Sequence, residues 1–240
     1  GIIDKNLDEY LILGELSLDG RLRGVTGILS MTEYAKENGI TKIILPAENV
    51  MEASLIPDME VYGFESLSDV TGFLRGDIEK TPFINNNILD ETSFTDYDMD
   101  FKDVKGQFAA RRAAEVAASG MHNFIMIGSP GSGKTMIARR MPSILPPMTL
   151  KEALETTKIH SVAGLIKDSG RLINKRPFVS PHHTSSNIAI IGGGAKAKPG
   201  NVSIANSGIL FLDEMLEFSR SVLEVLRQPM EDRFVTIARA

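Results

Sequence analysis

The chain has 240 residues, of which 42% are hydrophobic and 24% are charged, so it can form one or two globular domains. This composition excludes collagen-like, mucin-like and wholly disordered chains, and no apolar run reaches the roughly 18 residues of a membrane-spanning helix. The formal net charge is −5, but residues 1–100 carry a net charge of −13 and residues 101–240 a net charge of +8.

The charge asymmetry is typical of a polyanion or nucleic-acid partner for the basic half, although nucleotide binding and solvation alone would also explain it. Cysteine is absent, which excludes disulfides, thiolate metal sites and cysteine nucleophiles. The N-terminus has no signal-peptide pattern, so we expect a cytoplasmic protein without a membrane partner. It also lacks an initiator Met, and we expect the chain to begin inside a larger protein.

Residues 1–75 alternate between strand and helix patterns, which predicts a small α/β domain that lacks its N-terminal portion. The predicted elements are a strand over 10–18, a turn at 19–20, a strand over 22–25, a helix around 28–35, strands over 42–45 and 61–64, and a helix over 67–74 that ends at Gly76. Residues 76–102 are rich in acids and have no helical or strand period, so we interpret them as a linker.

Residues 103–240 form a second predicted domain with its own alternation of elements. The predicted elements are a helix over 107–119, a strand over 122–127, a helix that follows a glycine-rich turn and runs to about 140, a helix capped by Thr149 and Glu152, a strand over 209–212, a helix over 217–226 and a strand over 234–238. The order of strands and helices favours an α/β fold with a parallel sheet.

The glycine-rich turn matches the phosphate-loop pattern G-x-x-x-x-G-K-[ST] at every fixed position. It consists of Gly128, Ser129, Pro130, Gly131, Ser132, Gly133, Lys134 and Thr135. Glycines allow successive backbone N–H groups to surround phosphate oxygens, and the following helix directs its positive end at the same place. Lys134 would reach the β- and γ-phosphates of ATP, and Thr135 would hold Mg²⁺ through its hydroxyl. The alternative is a glycine-rich structural turn.

A second pattern, Ile209 to Leu212 followed by Asp213 and Glu214, predicts a buried strand whose carboxyl end faces the nucleotide. Asp213 would coordinate Mg²⁺ directly or through water, and Glu214 would polarise the attacking water. Alone the pattern is weak, because buried strands often end in a surface acid. Its position downstream of a phosphate loop makes the functional interpretation the better one.

Two other segments carry polar side chains of uncertain use. The His182–His183 pair has no partner residues at a metal-site spacing, so a polar pair that orders the loop backbone is the better interpretation. The glycine-rich turn over 192–200 carries Lys196 and Lys198, which are candidates for DNA contacts at a hairpin tip. A solvated turn is the alternative.

Several runs of the sequence resemble one family, the magnesium-chelatase-like ComM/YifB family of AAA+ ATPases. These runs are VKGQFAARRAAEVAASGMHNFIMIGSPGSGKTMIARRMPSILP, RPFVSPHHTSSNIAIIGGG, KPGNVSIANSGILFLDE and FSRSVLEVLRQPMED. The run GELSLDGRLRGVTGILSMTEYAKENGITKIILPAENVMEA is similar to the first domain of that family, which resembles the Lon protease domain of the ribosomal S5 domain 2-like fold.

The resemblance implies ATP and Mg²⁺ as cofactors, ATP hydrolysis as the activity, a homo-hexameric ring and a single-stranded or branched DNA substrate. Residues 104–107, with Val104 and Gly106, match the stretch that wraps the adenine, and Met136 directly follows the phosphate loop. Residues 188–205 match a hairpin insertion, and 235–238 match the first strand of a later hairpin. The alternatives are a magnesium chelatase ATPase subunit and a nucleotide switch without motor activity.

The sequence departs from the family pattern in two ways. The Lon lysine that partners the catalytic serine falls at Leu29, which cannot activate a serine, so the resemblance does not imply a Lon-type protease. The serine-bearing part, sensor 1, the arginine finger, sensor 2 and the lid would all lie outside the chain. We therefore expect both domains to be truncated and the chain to be poorly active by itself.

Overall fold

The computed structural model describes residues 6–85, 97–166, 171–195 and 197–237. The chain forms two compact units: unit 1 comprises Gly1–Glu91 and Thr157–Leu172, and unit 2 comprises Thr92–Thr156 and Ile173–Ala240. Residues 157–172 thus belong to unit 1, although they lie within the second predicted domain. The boundaries 1–75, 76–102 and 103–240 stay a prediction.

Unit 1 is built around a three-stranded parallel sheet and a short hairpin. Its strands are β1 (Tyr10–Ile12), β2 (Glu15–Leu16), β3 (Leu22–Arg23), β4 (Lys42–Pro46) and β5 (Glu60–Phe64). The sheet has the order β1-β4-β5, and β2 pairs with β3 in antiparallel fashion. The strand predicted over 10–18 is therefore split, because β1 joins the parallel sheet while β2 turns back at Asp19 and Gly20.

The helices of unit 1 follow the apolar spacing of the sequence. They are α1 (Ile28–Glu37), α2 (Val50–Ala53) and α3 (Leu67–Arg75). Ser66 caps α3 by accepting a hydrogen bond from the Asp69 N–H, and Gly76 ends the helix at φ +88°. The sequence patterns did not predict α2, which is only four residues long. One core cluster of this unit consists of Ile44, Tyr62, Phe64, Val70, Phe73 and Leu74.

Unit 2 contains most of the helices and only short strands. Its helices are α4 (Phe108–Gly120), α5 (Lys134–Arg140), α6 (Leu150–Ala163), α7 (Asn187–Ile191), α8 (Asn201–Ile204), α9 (Arg220–Val225) and α10 (Arg227–Asp232), and residues 157–163 of α6 belong to unit 1. The predicted capping box is confirmed: the Glu152 N–H donates to Thr149 Oγ1, and the Thr149 N–H donates to Glu152 Oε2. The predicted helix over 217–226 begins later, at Arg220.

The strands of unit 2 form two pairs. Strand β6 (Phe178–Val179) lies parallel to β9 (Ile209–Leu210), and β7 (Gly192–Gly193) pairs with β8 (Lys198–Pro199) as an antiparallel hairpin. A Cβ atom at Gly208 would overlap the carbonyl oxygen of Pro177, so glycine is required where β9 approaches β6. Both units thus combine helices with parallel strand pairs, in agreement with the predicted α/β class.

Two predicted strands of unit 2 are wrong for the described residues. Residues 122–127 have no strand pairing, although Phe124 and Met126 face the core and Ile125 and Ile127 are 68% and 93% exposed. The alternation predicts an extended segment correctly, but a strand also needs a hydrogen-bonded neighbour. Residues 234–237 likewise form no strand, and Ala238 lies outside the described residues.

A second core cluster lies beneath the segment that carries the phosphate-loop pattern. It consists of the buried residues Phe101, Val104, Ala114, Ala117, Ile137 and Met141, and Phe124, Met126 and Ile209 pack against it. The cluster therefore joins α4, α5 and the start of β9. In the described part of the chain, no helix is both long and apolar enough to cross a membrane.

Candidate functional site

The phosphate-loop pattern forms an exposed loop between the extended segment 122–127 and α5. Gly131 and Gly133 have φ angles of +76° and +91°, in the left-handed region that glycine adopts without a steric cost. A side chain at either position would strain the backbone. The two glycines are therefore needed for the path of the loop itself.

The loop presents backbone donors that nothing in the described chain accepts. The N–H groups of Gly131, Gly133 and Lys134 donate to no described residue, whereas the Ser132 N–H donates to Ser129 O at 3.3 Å. Unpaired N–H groups in a glycine-rich turn form a concave surface that favours an anion. The loop therefore has the chemistry of an anion site.

Lys134 lies folded back onto the loop. Its Nζ donates to the carbonyl oxygens of Gly128 and Ser129, at 2.9 and 3.0 Å. These hydrogen bonds hold the ammonium group at the same loop as the free N–H groups. Because a lysine side chain is flexible, an anion can draw this charge away from the two carbonyls.

The loop is linked to the acidic end of β9 by one side-chain contact. Thr135 Oγ1 donates to Asp213 Oδ2 at 3.0 Å, across 78 residues of sequence. Asp213 Oδ1 accepts from the Glu214 N–H at 3.1 Å. The structure thus brings the phosphate-loop threonine and the predicted Mg²⁺ ligand together.

Glu214 adopts a left-handed backbone with φ +52° and ψ +49°, and its side chain is exposed. Such a conformation costs a non-glycine residue roughly 1–3 kcal/mol and is often found at functional sites. This conformation lies directly after Asp213, at the residue predicted to polarise the attacking water.

The donor set at Thr135 and Asp213 fits Mg²⁺. Hydroxyl and carboxylate oxygens are its preferred ligands, and two neighbouring ligands at about 2.1 Å on an octahedral ion lie about 3 Å apart. The described residues contain no group of three or more His, Asp or Glu that could hold a metal ion. Phosphate and water oxygens would therefore have to complete the coordination.

The other predicted nucleotide-binding residues differ from one another in their exposure. The Val104 side chain is completely buried in the core cluster, whereas Gly106 is exposed with φ +65° and Met136 is 37% exposed on the first turn of α5. One contact escaped the sequence analysis: Gln107 Nε2 donates to Ser132 O of the loop at 3.1 Å. No sequence pattern indicates this hydrogen bond.

Arg176 is a second residue that the sequence analysis missed. Its side chain is 4% exposed, and its guanidinium group donates to the carbonyl oxygens of Pro146, Pro147 and Ser207 and to the Glu152 carboxylate. Ser207 lies two residues before β9, and β9 leads to Asp213. Arg176 therefore ties the start of α6 to the strand that carries the acidic residues.

The Arg176 pairing changes the acidity of Glu152. Partial burial raises the pKa of Glu152. Hydrogen bonds from the Thr149 backbone and hydroxyl and from Arg176 lower the pKa by a larger amount. The net effect is a pKa below the ordinary value of a glutamate. Glu152 is therefore held in its ionised form.

The two remaining candidate segments lie in the same unit. Lys198 lies exposed on β8 of the hairpin, and Lys196 lies outside the described residues. The rings of His182 and His183 are 4.1 Å apart, and His182 Nδ1 accepts from the Thr184 N–H at 3.3 Å. This local hydrogen bond agrees with a histidine pair that orders its own loop.

Comparison with known families gives two matches. A family described as magnesium chelatase, subunit ChlI, matches residues 100–240, and one described as subunit ChlI of Mg-chelatase matches residues 2–49. An archaeal Lon protease of Halobacterium salinarum is 32% identical over 110 residues, which are 45% of this chain and 16% of that protein. The similarity to a Lon protease is thus supported over part of the chain.

Longer matches cover nearly the whole chain. An uncharacterized protein of Mycobacterium tuberculosis is 45% identical over 236 residues, which are 98% of this chain and 46% of that protein. Competence protein ComM of Haemophilus influenzae is 41% identical over 239 residues, with 98% and 46% covered. YifB of Escherichia coli is 39% identical over 238 residues, with 97% and 45% covered.

The chain spans about half the length of these curated relatives. The matches extend over both units, and one of them includes the phosphate loop together with Asp213 and Glu214. The chain therefore belongs to the magnesium-chelatase-like ComM/YifB family, whose members are AAA+-type ATPases.

Proposed function

We propose that the chain carries the ATP-binding and ATP-hydrolysing site of an AAA+ motor. The observation that carries the proposal is the 3.0 Å hydrogen bond between Thr135 and Asp213, because it joins the phosphate loop to the acidic pair. A glycine-rich structural turn would have no need of a partner at the end of a strand 78 residues away. Because the chain spans about half the length of its relatives, the activity of the whole protein is itself a proposal.

Each residue has a defined task in this proposal. The free N–H groups of the loop bind the phosphates, and Lys134 exchanges its two carbonyl acceptors for β- and γ-phosphate oxygens. Thr135 and Asp213 would hold Mg²⁺, which would neutralise phosphate charge. Glu214 accepts a hydrogen bond from the water that attacks the γ-phosphate. The adenine is proposed to lie beside residues 104–106, of which Val104 is completely buried and Gly106 is exposed.

Unit 1 is proposed to be part of a Lon-like domain with the S5 domain 2-like fold. Leu29, at the position of the Lon lysine, is completely buried, and its N–H donates to Glu52 Oε1 at 3.4 Å. A buried leucine at this position fits a structural role. We therefore propose no peptidase activity for this unit.

DNA is the proposed substrate, and a homo-hexameric ring in the cytoplasm is the proposed assembly. The net charge of +8 over residues 101–240 supports a polyanionic partner, and exposed Lys198 lies on the hairpin of unit 2. The alternatives are a magnesium chelatase ATPase subunit, which would act on a porphyrin, and a nucleotide switch. Glu214 disfavours the switch, because binding alone needs no residue that polarises water.

Two substitutions in the full-length protein test the ATPase site. Lys134→Ala should weaken ATP binding at least about tenfold, because it removes a charged hydrogen bond to phosphate. Glu214→Gln should keep ATP affinity but slow turnover about 100-fold or more, since an amide cannot act as a base. Nucleotide titration and phosphate release measure the two effects.

Matched controls lie close by in the same unit. Lys151→Ala removes an exposed lysine from α6, and Glu217→Gln removes an exposed carboxylate three residues after Glu214. Neither should change ATP affinity or turnover. A Glu214→Gln variant that turns over at the wild-type rate would show that the role assigned to Glu214 is wrong.

The DNA proposal is tested by salt dependence. Each phosphate contact made by a lysine adds to the slope of log affinity against log salt. Lys196→Ala with Lys198→Ala should lower DNA affinity for every sequence and flatten this slope, with ATP affinity unchanged. Lys175→Ala with Lys151→Ala removes the same charge elsewhere in unit 2 as a control. Equal affinities and parallel lines would contradict a DNA contact at the hairpin, and no DNA effect on turnover would favour the alternatives.

A further inference from the structure

Gln107 occupies an unusual place at the start of α4. It is the residue that precedes the helix, and its backbone is left-handed with φ +48° and ψ +43°. Its side chain makes no capping hydrogen bond to its own helix. Residues at such positions are usually Ser, Thr, Asp, Asn or Gly, and glycine adopts a left-handed backbone without the cost of a Cβ atom. Local preferences therefore do not account for glutamine here.

The side chain is used in a contact with the phosphate loop instead. Gln107 Nε2 donates to the carbonyl oxygen of Ser132 at 3.1 Å, across 25 residues of sequence. The left-handed backbone at Gln107 sets the direction in which its side chain leaves the chain. The strained conformation and the hydrogen bond thus belong together.

The consequence for the loop follows from peptide geometry. The Ser132–Gly133 peptide is trans, so its C=O and N–H groups point in opposite directions within one plane. A donor that holds the Ser132 carbonyl on one side therefore directs the Gly133 N–H to the other side. That N–H has no acceptor among the described residues and is one of the free donors of the loop.

We infer that Gln107 is a positioning residue that orients the Gly133 N–H toward a bound phosphate. The inference rests on the proposed function and names a further residue for the same site. Gln107 differs from Lys134 in one respect. Lys134 must release its two carbonyl acceptors when phosphate binds, whereas the hydrogen bond from Gln107 uses the outward face of the loop and persists.

The expected effect is modest, because the hydrogen bond is exposed. Loss of one neutral hydrogen bond corresponds to about a three- to tenfold change in a binding constant. In Gln107→Glu a carboxylate faces a carbonyl oxygen and cannot donate, and in Gln107→Asn the amide is one methylene short. Gln107→Gly removes the side chain but relieves the backbone.

A matched control lies at the other end of the same helix. Met121 follows α4, is 62% exposed and has φ +53°, so Met121→Gly relieves a comparable backbone strain away from the loop. Both glycine variants should have an unchanged or higher melting temperature. Only Gln107→Gly should lose affinity for phosphate ligands, and a purely structural role cannot produce that combination.

The experiment measures dissociation constants of ADP and of inorganic pyrophosphate, each with Mg²⁺, for the full-length protein and its variants. We expect all three Gln107 variants to weaken both ligands by the same three- to tenfold factor, with Met121→Gly unchanged. Unchanged affinities in the Gln107 variants would overturn the inference and leave the proposed function intact. A loss for ADP alone would also overturn it, because Gln107 would then act on the base. A wild-type protein that binds neither ligand would overturn the proposed function as well.

Discussion

The two units of this protein hold their shapes by different means. In unit 1, the strands β4 and β5 are each five residues long and pair along their whole length, and Ile43, Ile44 and Leu45 are at most 1% exposed. In unit 2, each strand that the structure describes is two residues long, and individual hydrogen bonds from side chains join the functional segments. The first arrangement relies on burial and backbone pairing, whereas the second adds specific polar contacts to its apolar core clusters.

This difference between the units predicts which substitutions should destabilise each of them. The sheet of unit 1 should tolerate the loss of one polar contact, because several backbone hydrogen bonds join each pair of strands. A site held by side-chain contacts loses its geometry when one donor is removed. The polar contacts of unit 2 should therefore be as important for stability as the apolar core of unit 1.

The largest expected effect is at Arg176 of unit 2. Arg176→Ala leaves three carbonyl oxygens and the Glu152 carboxylate without their buried partner, which should cost about 3–5 kcal/mol. The melting temperature should fall by at least about 6 °C in thermal unfolding followed by circular dichroism. Arg220→Ala is the control, because its ion pair with Glu224 is 92% exposed on the arginine side. A fall in melting temperature for Arg176→Ala no larger than that for Arg220→Ala would contradict the importance assigned to the polar contacts of unit 2.

A somewhat smaller effect is expected in the core of unit 1. Ile44→Ala removes a side chain that is 1% exposed and should cost about 3 kcal/mol, near the middle of the range for such truncations. Its partner across the sheet, Ile12, is 45% exposed, so Ile12→Ala should cost less. Urea unfolding of both variants measures the difference. Equal losses would mean that burial does not dominate the stability of this sheet.

The smallest expected effect is the contribution of Glu152 to the pH dependence of stability. Because the pKa of Glu152 is lowered in the folded protein, its ionised form stabilises the fold above the unfolded value of 4.5. This contribution disappears as the pH falls through the lowered pKa. Glu152→Gln should therefore be less stable than the wild type at pH 7, and the gap should narrow below about pH 4.5. Glu155→Gln, an exposed position on the same helix, is the control. A gap that is independent of pH would contradict the ionised pairing with Arg176.

The amino-acid sequence by itself determined those features that depend on near neighbours. The helices α1, α3, α4 and α5, the cap at Thr149 and the path of the loop through Gly131 and Gly133 agree with the patterns that predicted them. Apolar spacing, capping side chains and glycine act within a few residues of sequence. The phosphate-loop residues and the acids at 213 and 214 could be named for the same reason, although their roles stay predictions.

Only the tertiary structure decided the features that need a partner far along the chain. Residues 122–127 alternate like a strand but pair with no strand among the described residues, and residues 157–172 belong to unit 1. The acceptors of Arg176 are scattered from 146 to 207, and Gln107 meets Ser132 across 25 residues. A side chain shows in the sequence that it can donate, but not which acceptor the fold will bring within 3 Å or so of it.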